Sequence, residues 1–152
     1  MKTSVKVFSF FFAAAMMIAC AQAESEVVKQ ARTIQEGIMK SKNQLDSTID
    51  LSITDINNRI TTMSSDSIAM KDSANIALFG QMQSQVARLA EMKSKLTDWA
   101  SSMKMLPTPE EVAKGAENPF GKEATDQDIL KGVQASQEEF NNLKSEIESE
   151  MQ

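Results

Sequence analysis

The sequence contains no histidine and no tyrosine, and it has one cysteine, one tryptophan, three prolines and five glycines in 152 residues. Without histidine, the side chain that most often ligates metals and serves as general base near neutral pH is missing. The lone Cys20 cannot form an internal disulfide. Sparse glycine and proline, with Ala, Met, Gln, Lys, Glu and Ser dominating the middle of the chain, point to long helices rather than a sheet. None of the seventeen serines stands in a G-x-S-x-G elbow. There is also no EF-hand spacing and no phosphate-cradling glycine loop. The adjacent acids Glu110-Glu111 and Glu138-Glu139 would point in different directions on a helix and make poor chelates. No catalytic, cofactor-binding or metal-ligating residue is expected, and the chain reads as a non-enzyme.

Positive charge is also scarce. Residues 1–19 hold Lys2 and Lys6 and no acid, so the remainder carries 14 Lys and Arg against 21 Asp and Glu, a net of −7. From residue 107 onward only Lys114, Lys122, Lys131 and Lys144 oppose eleven acids. An acidic chain with no basic cluster is a poor nucleic-acid ligand, and its acidic last segment is poorly suited to lie on anionic lipid.

The only long apolar run is at the start. Lys2 and Lys6 supply a basic start, the run 5–18 is almost wholly apolar, with Phe8, Phe10, Phe11, Phe12, Met16 and Met17, and small residues follow. This is the order of a secretory signal. At about 14 residues the run falls short of the ~20 needed to span a bilayer as a helix. Two processing sites are available. Met17-Ile18-Ala19-Cys20 resembles the lipobox of bacterial lipoproteins, giving a leader of 1–19 and a mature chain that starts with lipidated Cys20. Ala21-Gln22-Ala23 is an A-x-A site, giving a leader of 1–23 and a soluble chain that starts at Glu24. Neither product has a free thiol. The expected location is the outer membrane or cell envelope in the first case, and the periplasm or medium in the second.

Periodicity defines the body. Met82, Leu89, Leu96 and Met103 recur every seven residues, interleaved with Leu78, Gln85, Met92, Trp99 and Leu106. This is an a/d seam over four heptads and predicts a helix over 73–106. Upstream, Val27, Ala31, Ile34, Ile38, Leu45, Ile49, Ile53, Ile56, Ile60 and Met63 keep helical spacing with a doubled four around Ile49. The alternation over 49–53 also allows a strand there. The polar break 64–73 between the two seams predicts an antiparallel hairpin over 24–106. A link over 107–124 follows. In it Thr108-Pro109-Glu110-Glu111 predicts a capped short helix ending at Gly115, and Asn118-Pro119-Phe120-Gly121 predicts a turn. Thr125, with Asp128 in the box position, caps an acidic C-terminal helix over 125–152. Its stripe is Ile129, Val133, Phe140, Leu143, Ile147 and Met151, and Gly132 is its weak point. The fold class is therefore all-α: an antiparallel long-helix hairpin, coiled-coil-like, with a third helix packed on it. The bulk of Trp99 at a d position calls for cover, from the last helix or from Phe120.

With the Ala19-Cys20 junction, a long first helix, "DSIAMKDS" before the second and "LTDWASSM" leading into a proline-containing link and an acidic last helix, the chain resembles small helical lipoproteins of the Bacteroidota. Some of these carry the label "viral A-type inclusion protein". The resemblance implies a lipidated envelope location and supplies no catalytic residue. The expected function is a non-catalytic exported envelope protein, a lipid-anchored helical spacer or protein-interaction module. Its membrane contact would come through lipid on Cys20, and a protein partner or self-association through helices. The seam Met82, Leu89, Met92, Leu96, Trp99 and Met103 is either its core or its interaction surface. The alternative is a periplasmic binding protein or chaperone that takes apolar ligands or unfolded segments in a methionine-lined groove.

Overall fold

The computed structural model describes residues 24–66 and 71–152. Cys20 and the leader lie outside the described residues, as does part of the break between the two long segments. Among the described residues four helices follow one another: α1 (Glu26–Ser65), α2 (Ser73–Ser102), α3 (Pro109–Ala113) and α4 (Asp126–Glu150). The protein is an all-helical bundle in which α2 runs antiparallel to α1, and α4 returns parallel to α1 in the groove between them.

Helix α1 is 40 residues long, about 60 Å at 1.5 Å per residue. Ser25 caps it by accepting from the Val28 amide at 3.2 Å. The strand reading of 49–53 is overturned by where the side chains go. A strand would place Ile49, Leu51 and Ile53 on one face. Instead Ile49 is fully buried and Leu51 is 69% exposed, as a 3.6-residue period requires. The threonines that disfavour helix by local competition are accommodated on the outer face. Thr48, Thr54, Thr61 and Thr62 each donate their hydroxyl to the carbonyl four residues back.

Helix α2 starts at Ser73, capped by Asp72, whose carboxylate accepts from the Ala74 amide at 2.9 Å. It ends at Ser102, earlier than the 73–106 expected from the seam. Residues 103–108 leave the helix, and Met103 adopts φ −67°, ψ 128°. Pro107 disfavours helical backbone at Leu106, and Gln35 of α1 holds the non-helical path. Its Nε2 donates to the Lys104 carbonyl at 2.6 Å, and its Oε1 accepts from the Leu106 amide at 3.0 Å. The hairpin proper thus closes at Ser102, and the link begins at Met103 rather than at Pro107.

The two expected capping boxes are present. Thr108 and Glu111 reciprocate at α3, and Thr125 and Asp128 at α4. Helix α3 stops in a Schellman arrangement. Gly115 sits at φ 91° and donates to the Val112 carbonyl, and Ala116 donates to the Glu111 carbonyl. The turn 118–121 closes with the Gly121 amide donating to the Asn118 carbonyl at 3.0 Å.

Phe120 from this turn packs into a basal cluster of Ala31, Leu106, Ile129 and Val133. Gly132, expected to be the weak point of the last helix, is where this ring rests. A β-carbon there would come within 2.9 Å of Phe120 Cδ1, and closer still to Cε1. Gly132→Ala therefore sets the gain in helix propensity, ~1 kcal/mol, against displacement of the ring. The expected net result is a loss of about 1 kcal/mol, read as a lower urea midpoint. Gly132→Ala combined with Phe120→Ala should be less destabilised than Phe120→Ala alone. The larger cluster runs up the bundle through Ile38, Leu45, Ile49, Leu89, Leu96, Phe140 and Ile147.

Candidate functional site

The structure brings the predicted seam residues together inside the bundle. Met82, Leu89, Met92, Leu96 and Met103 are buried among residues of α1 and α4, and Trp99 is half-buried against the same cluster. The tryptophan ring lies 5.2 Å from the Phe140 ring, tilted by 37°, a separation that supports a favourable aromatic pair. Helix α4 therefore covers Trp99, while Phe120 belongs to the basal cluster and lies near Lys104, whose Nζ is 5.6 Å from its centroid. Leu78, at the head of the second heptad series, is 41% exposed, and Met105 in the link is likewise exposed. Cys20, the lipidation candidate, lies outside the described residues.

Two residues at the base matter that periodicity did not single out. Gln35 is buried and bridges α1 to the extended link, as described above. One turn earlier, Arg32 bonds Glu24 at 2.6 Å and the Pro107 carbonyl at 2.9 Å. The residues that lead into α1 and the end of the hairpin are thereby tied at one end of the rod. The signal for Gln35 was a polar residue one position from Ile34 on an otherwise apolar face, next to a proline-broken segment far away in sequence.

Most ion pairs sit on the outside, whereas Lys42–Asp46 on α1 is partly buried. Lys93 bonds Asp50 across α1 and α2, and this hydrogen bond raises the lysine pKa. Lys95 meets Glu146 and Arg88 meets Glu150, so α2 cations face α4 acids. Hydrogen bonds from Thr125, first its hydroxyl and then its amide, hold the Asp128 carboxyl below its usual range. The Thr108 amide, followed by its side chain, does the same for Glu111. These acids serve the caps of α3 and α4. Among the described residues, no group of three or more His, Cys, Asp and Glu is placed to hold a metal ion. No described helix is long and apolar enough to cross a membrane.

Two of the surface depressions among the described residues lie along α1. One is a polar strip on α1 along Lys40, Gln44 and Thr48. The other, about 440 Å³, lies between α1 and α2 just past the end of α4, with Leu51, Ile56 and Leu89 in its lining and Met151 at its edge. No family model, curated protein or solved structure matches the chain.

Proposed function

We propose that this chain is a non-catalytic, lipid-anchored spacer of the cell envelope that carries a protein-interaction surface away from the membrane. The observation that carries the reading is the polarity of the rod. Its helical body begins at the Ser25 cap, directly after the lipobox-like "MIAC" and a few linking residues, and Arg32 ties that end to the link. Acyl chains on Cys20 would therefore emerge at the base. The hairpin tip, where α1 ends and α2 begins, stands at the far end of a helix about 60 Å long. Burial of Met82, Met92 and Met103 favours this over a methionine-lined binding groove, because those side chains are already packed. Polar outer faces suit a body that stands in water.

Intact mass measurement of membrane and soluble fractions tests the anchor. The expected species begins at Cys20, carries added acyl mass and sits in the membrane fraction, and Cys20→Ser should release the protein. A native chain beginning at Glu24 and found only in the soluble fraction would refute the tether.

A further inference from the structure

We draw no further inference here: the strongest candidate, the cleft between α1 and α2 past the end of α4, is lined by both Asp55 and Arg59 and by the already buried Ile56 and Leu89, and nothing in the structure shows what covers it.

Discussion

Replacing Leu96 by aspartate should lower stability by roughly 4 kcal/mol or more and leave the chain unfolded or molten at room temperature. Leu96 is fully buried in the middle of the seam, within the cluster shared by α1, α2 and α4. The substitution removes an apolar side chain from a packed site, which in a Leu→Ala change alone costs about 2–5 kcal/mol. It also places a carboxylate there with no cation in the cluster to meet it. A domain with a total stability of about 5–15 kcal/mol cannot absorb much of that. Urea unfolding followed by circular dichroism would record the loss. Ile76→Asp is the matched control: the same chemistry at a half-exposed position should change stability by no more than ~0.5 kcal/mol. Equal effects at the two sites would mean that the seam is not the core.

Gln35→Leu is expected to cost about 2–4 kcal/mol although it makes the core more apolar. The buried amide satisfies both the Lys104 carbonyl and the Leu106 amide. Leucine would leave a donor and an acceptor without partners, at about 1–3 kcal/mol each. Exchange at the Leu106 amide should speed up, and the basal cluster should loosen around Leu106 and Val133, while the upper bundle stays intact. Unchanged stability would mean that the link finds its path without the clamp.

These two sites also mark what could and could not be read from the sequence. The seam through Leu96 was legible because helical burial repeats locally, and Met82, Leu89, Leu96 and Met103 state the repeat within one segment. The caps at Thr108 and Thr125 were legible for the same reason, since each box closes within three residues. The role of Gln35 was not, because its partners lie about seventy residues away. The end of α2 was misplaced because the seven-residue spacing runs on through Met103 and Leu106 after the helix has stopped. The two side chains do not share a helical face there: Met103 enters the long cluster and Leu106 the basal one. Pro107 and the serine pair at 101–102 were the available warnings. Gly132 was read as a defect because helix propensity is a local quantity, whereas the ring of Phe120 that requires the glycine arrives from another turn.

The bundle has a three-helix base and a two-helix tip. Residue-resolved amide hydrogen exchange on the chain 24–152 tests it most directly, because protection follows how a helix is covered. Slow exchange is expected where three helices pack, in α1 up to about Ser52, in α2 from about Gln85 to Ser102, and through the middle of α4. The last turns of α1 and the first turns of α2 should exchange markedly faster. Uniform protection of α1 as far as Ser65 would contradict the two-helix tip.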